Sequence, residues 1–217
     1  MLALLHHLRW PITGALVLLA AHALEPLGRS VLFLASRPAL WQPLALGMAG
    51  YILLYWLARR SRHGRSHLSL LMTLEHELAH TLIAGLLGLR VERLLATDND
   101  GGHISSSGSS WLVLLAPYVL PLALLVPALV LAAATRPSPA WALVLLGACL
   151  AFHGHSSWLE THRHQTDLKT AGWPLSASLI ASSHVLVALW ACGLALGHQR
   201  YFGQAVRNLW QFISGLL

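Results

Sequence analysis

One short run of residues, His76-Glu77-Leu78-Ala79-His80, carries most of the chemistry that this sequence offers. On a helix, a four-residue spacing stacks two imidazoles on one face, a turn apart, where they can bind one Zn²⁺ at about 2.0 to 2.1 Å. Glu77 lies beside that face. Its carboxylate can take a proton from water on the metal, whose pKa the ion lowers toward about 7, and the resulting nucleophile attacks a carbonyl. Such a centre needs a third protein ligand and one open position. By residue type the candidates are Asp98 and Asp100 in a turn, Glu160 and Asp167 in a His-rich connection, and His103, His153, His155, His162 and His164.

The elements that must position this motif are membrane helices. Hydrophobic residues make up 56% of the 217, charged residues only 10%, and the mean hydropathy is +0.60. The apolar residues fall in runs of roughly 18 to 25, enough to cross a hydrocarbon core as helices. The fold class is therefore an all-α membrane protein of about six transmembrane helices. The expected runs are residues 10–24 (continuing past Pro26 as a kinked helix toward Ala35), 39–58, 68–89, 111–134, 140–158 and 176–196. The third run holds Glu75, His76, Glu77 and His80. Each carboxylate near a bilayer centre costs about 2.5 to 3.5 kcal/mol, so a polar partner or a water-filled cavity must receive them. After it, residues 91–97 are β-compatible and Asp98-Asn99-Asp100-Gly101-Gly102 signals a turn, which predicts a short β-hairpin or re-entrant loop following the zinc helix. Pro117, Pro121 and Pro127 predict a kinked fourth helix packed against protein. Residues 200–217 place Phe202, Val206, Leu209, Trp210 and Ile213 on one face and predict an interfacial amphipathic helix.

A formal charge of +6 does not point to nucleic acid, because the basic residues sit in short connections between apolar runs, most densely at Arg59, Arg60, Arg62 and Arg65. Cys149 and Cys192 lie in apolar runs without a CxxC pairing. Arg9, residues 10–20 and Ala21-His22-Ala23 imitate a secretory signal, and the reading preferred is a retained first helix. No repeat or low-complexity linker divides the chain, so residues 1–217 are expected to form a single polytopic membrane domain with a catalytic core at 68–175.

The sequence resembles the site-2 protease family of intramembrane zinc metallopeptidases, in particular its small members without PDZ domains. The resemblance rests on the apolar-helix motif at His76 to His80 followed by Gly88-Leu89-Arg90-Val91-Glu92-Arg93, on Gly101-Gly102-His103 leading to Ala116-Pro117, and on Gln165-Thr166-Asp167-Leu168. It implies that Asp167 is the third zinc ligand beside His76 and His80, with Glu77 as the catalytic base. The distal segment departs from the family's common pattern, since no Asn-Pro precedes the aspartate and no Asp-Gly follows it. Asn99, Gly101, Gly102 and His103 are expected to bind substrate backbone, since a strand edge beside the site can accept an unwound peptide. The positive-inside rule puts the Arg59 to Arg65 cluster in the cytosol and the zinc-side loop outside, whereas the resemblance implies a cytosolic loop.

The expected function is an endopeptidase with Zn²⁺ as cofactor, cutting membrane protein substrates in or next to their transmembrane segments. Its expected partners are those substrates and the lipid bilayer, without nucleic acid, and its expected location is a bacterial cytoplasmic membrane. The 14 His, four of them clustered from His153 to His164, also fit a metal transporter or sensor, and an inactive scaffold of the same fold is a third reading.

Overall fold

The computed structural model describes residues 2–97, 102–133, 139–161 and 165–197. Eight helices and one hairpin occupy them: α1 (Leu2–Ala35), α2 (Pro38–Ala58), α3 (Arg62–Leu86), β1 (Val91–Ala96), β2 (Gly102–Ser106), α4 (Trp111–Val119), α5 (Leu122–Ala133), α6 (Ala140–Glu160), α7 (Thr166–Ala171) and α8 (Trp173–Ala195). The predicted amphipathic tail at 200–217 lies outside the described residues.

α1 runs through both Pro11 and Pro26 and ends at Ala35, as expected, but begins at Leu2 rather than near Trp10. α3 also starts early. The Ser61 hydroxyl accepts a hydrogen bond from the Gly64 amide at 2.9 Å, an N-cap that draws Arg62 and Arg65 into the first turns of the helix instead of a loop. The Pro-rich segment is a broken helix: α4 and α5 meet at 60° across Leu120 and Pro121, while Pro117 and Pro127 stay within helices. α1, α2, α6 and α8 are long and apolar enough to cross a membrane, and the bent α4–α5 pair makes a fifth if it is counted as one span rather than a re-entrant loop. The expected sixth, α3, is 25 residues long but carries Arg62, Arg65, Glu75 and Glu77, and is not among them by composition.

Leu18, Leu32, Ile52, Leu54, Leu129 and Trp158 are exposed, a distribution that costs heavily in water and nothing in lipid. Inside, one apolar cluster joins Leu34, Leu131, Leu143 and Leu194, and a second joins Trp111, Leu115, Tyr118, Leu168 and Leu175. α2 and α6 run parallel and touch backbone to backbone. A Cβ at Gly47 would overlap the Val144 carbonyl and lie 2.9 Å from the Ala148 nitrogen, and one at Gly147 would overlap the Leu44 carbonyl. Small residues at such a contact let helices approach closely where no hydrophobic effect drives them together.

Glu75, which called for a polar partner or a water-filled cavity, accepts a hydrogen bond from the Ala123 amide at 3.0 Å, capping the first turn of α5. The helix break at Pro121 frees amides that have no water to turn to, and a carboxylate from the neighbouring helix satisfies one of them.

Candidate metal centre

His76 and His80 lie on the buried face of α3. The Nδ1–H of His80 donates to the Val113 carbonyl on α4 at 2.7 Å. A carbonyl only accepts, so this bond fixes the tautomer and leaves Nε2 as a bare lone pair. His76 is held the same way by a side chain, its Nδ1–H donating to Glu160 Oε2 at 2.6 Å. The two Nε2 atoms are 3.1 Å apart. Asp167, on α7, brings Oδ2 to 3.2 Å from His80 Nε2 and 3.6 Å from His76 Nε2.

With both rings neutral and both Nδ1 atoms donating, three acceptor atoms converge, an arrangement suited to a cation. Size can be tested as well. Zinc bonds of about 2.0 to 2.1 Å in a tetrahedron set ligand atoms about 3.3 Å apart, and the three observed separations bracket that value. Among the described residues, His76, His80 and Asp167 are the one group of three placed to hold a metal ion. Without an ion, burial works to raise the pKa of Asp167, but hydrogen bonds and charge from His76 and His80 lower it by more, so its carboxyl is held well below the usual range.

The centre opens into a cleft of about 820 Å³. α3 contributes Thr73 and Glu77, β2 contributes Gly102 and Ile104, and Gln165 and Thr166 flank Asp167. Glu77 is buried and its carboxylate lies against Gly102: a Cβ there would come within 2.7 Å of Glu77 Cδ. The hairpin pairs β1 and β2 antiparallel, Leu95 opposite His103 and Ala96 opposite Gly102, and so sets the wall against which Glu77 rests. Gly102 was expected to touch substrate backbone, and its immediate neighbour is the Glu77 side chain. Gly102→Ala should displace that carboxylate and lower kcat about a hundredfold while zinc content stays at the wild-type level. Elemental analysis beside initial rates checks this, and wild-type kcat in the variant would remove Gly102 from the argument.

Asn99 and Gly101, the turn aspartates Asp98 and Asp100, and His162 and His164 lie outside the described residues, as does the side chain of His103. Glu160, weighed as a rival third ligand, sits behind His76 and orients it. Outer partners of this kind raise ligand basicity, and Glu160→Gln should weaken zinc binding about 10- to 100-fold, measured by competition with a chromophoric chelator. An unchanged affinity would mean that the bond does not tune the metal. His153, a candidate ligand by type, is buried and stacked on His184 at 5.4 Å, and His155 hydrogen bonds to Tyr51 at 2.8 Å; neither belongs to the metal group. Thr73 and the Val113 carbonyl were not singled out from the sequence, and Gln165 entered only as part of the Gln165-Thr166-Asp167-Leu168 motif. Thr73 is readable in retrospect, one turn before Glu77 on the same face, whereas a backbone carbonyl leaves no sequence signal.

A family model described as peptidase M50B-like matches residues 45–160. The chain belongs to the peptidase M50B-like family. No curated protein and no solved structure matches it. The M50B-like match takes in His76, Glu77, His80, the hairpin and Glu160, and supports the resemblance to site-2 proteases. It ends before Asp167, whose place beside the two histidines is given by the geometry. A member of the M50B-like family with these helices is an integral membrane protein, and its His76, His80 and Asp167 could hold a metal.

Proposed function

We propose that the chain is an intramembrane zinc endopeptidase of a bacterial cytoplasmic membrane, hydrolysing peptide bonds in or next to transmembrane segments of membrane proteins, with a catalytic core at residues 68–175. The observation that carries the reading is the convergence of His76 Nε2, His80 Nε2 and Asp167 Oδ2 at tetrahedral spacings beside the Glu77 carboxylate, within one cleft.

When bound, zinc supplies Lewis acidity that polarises a scissile carbonyl and acidifies water. His76, His80 and Asp167 would hold it, with Glu160 and the Val113 carbonyl locking both rings so that little reorganisation is needed during reaction. Glu77 takes the proton of the attacking water and hands it to the leaving nitrogen, base first and acid afterwards. Gln165 and Thr73 line the same cleft with donors suited to a substrate backbone. A helical amide is shielded by its own hydrogen bonds, so substrates with helix-breaking residues at the cut are favoured, presented as an unwound strand beside β2.

The test is to reconstitute the purified protein in liposomes, measure bound metal by elemental analysis, and follow cleavage of a panel of single-span substrates. One zinc per chain together with Glu77-dependent cleavage is the expected result. One zinc without cleavage would leave a metal-binding scaffold, and several metals per chain with transmembrane flux would leave a transporter.

A further inference from the structure

The turn between α2 and α3 concentrates positive charge that nothing nearby balances. Arg59, Arg60, Arg62 and Arg65 are all exposed, and none forms an ion pair among the described residues. The deficit extends along the chain, because no acidic residue occurs between Glu25 and Glu75. Glu25 is already engaged by Arg29 and Glu75 by the α5 amide. The first turn of α3 carries no acidic residue either.

Two of these side chains are seated on aromatic rings of the preceding turn. The Arg60 guanidinium lies 3.4 Å over the Trp56 ring, and Arg59 lies 5.6 Å over Tyr55 while donating to its hydroxyl at 3.3 Å. Trp and Tyr at the end of a membrane helix mark the headgroup level, and cations stacked on them are held at that height. Arg65 reaches back to the Arg59 carbonyl at 3.4 Å, folding the cluster into one patch. Guanidinium forks match phosphate oxygens in pairs, and a lipid surface supplies phosphates at this depth.

We propose that this turn is a docking surface for the phosphate headgroups of anionic phospholipids, which fasten the N-terminal end of α3, the helix that carries His76, Glu77 and His80, to the leaflet surface. The proposal rests on the patch and the membrane helices and stands apart from the peptidase reading. Each guanidinium near an anionic surface strengthens binding roughly fivefold.

Native mass spectrometry of the full chain in detergent, titrated with phosphatidylglycerol or phosphatidylcholine, provides the measurement. The wild type should retain phosphatidylglycerol at least about tenfold more tightly, with the preference shrinking in high salt. Arg62→Gln/Arg65→Gln should weaken it about 25-fold, and the fourfold variant that also replaces Arg59 and Arg60 by Gln should abolish the preference. Arg90→Gln/Arg93→Gln, at the hairpin, makes the same charge change elsewhere and should leave the preference intact; circular dichroism confirms that each variant is folded. A preference that survives the fourfold change, or falls equally in the hairpin variant, overturns the proposal. So does competition by millimolar inorganic phosphate, which would identify a site for free anions.

Discussion

Glu77→Gln is expected to keep zinc and lose hydrolysis, with kcat falling about 10²- to 10⁴-fold, the range that removal of a general base produces. The replacement is nearly isosteric. Glu77 is packed against Gly102 on β2, where the backbone leaves no room for a larger group, and an amide of the same shape fits the space that the carboxylate fills. It is not one of the three converging ligand atoms, so metal content should not change. What the amide lacks is the ability to accept a proton from water and return it to nitrogen. Rates on reconstituted substrate, paired with zinc per chain, separate the possibilities: cleavage at the wild-type rate would assign the base elsewhere, and loss of zinc would make Glu77 part of the binding set.

Asp167→Ala should have the second largest effect, on the metal itself. With the third ligand removed, two imidazole Nε2 atoms 3.1 Å apart face each other without a fixed anion, and zinc affinity should fall by more than the 10- to 100-fold expected for an outer partner such as Glu160. Stability gives a readout independent of activity. A ligand at 100 times its Kd stabilises the folded state by about 2.7 kcal/mol, so the apparent Tm of the wild type should rise on adding zinc and that of the variant should hardly move. An equal rise in both proteins would exclude Asp167 as a ligand.

The sequence made the zinc helix legible because helical periodicity alone converts a four-residue spacing into a shared face, and the structure keeps His76 and His80 there. The hairpin was legible too, since β-branched residues around an Asp-Asn-Asp-Gly-Gly turn favour few alternatives. Pairings distant along the chain were not. Glu160 and Asp167 are both acids in one polar connection, and only folding decides that one reaches the inner nitrogens of the histidines while the other grips the outer nitrogen of His76. Asp167 was reached through the family resemblance rather than from spacing. The start of α3 was misjudged because its two arginines looked like a loop, while the capping hydroxyl of Ser61 weighed more. α7, at six residues, is too short to show periodicity.

The bond between Glu75 and the Ala123 amide joins the residue next to the first imidazole to the hinge of a broken span. The angle at which the two half-helices meet and the posture of the neighbouring ring are thereby linked through one ordinary hydrogen bond: whatever pries open the fold at Pro121 must stretch or break the contact made by the side chain next to His76.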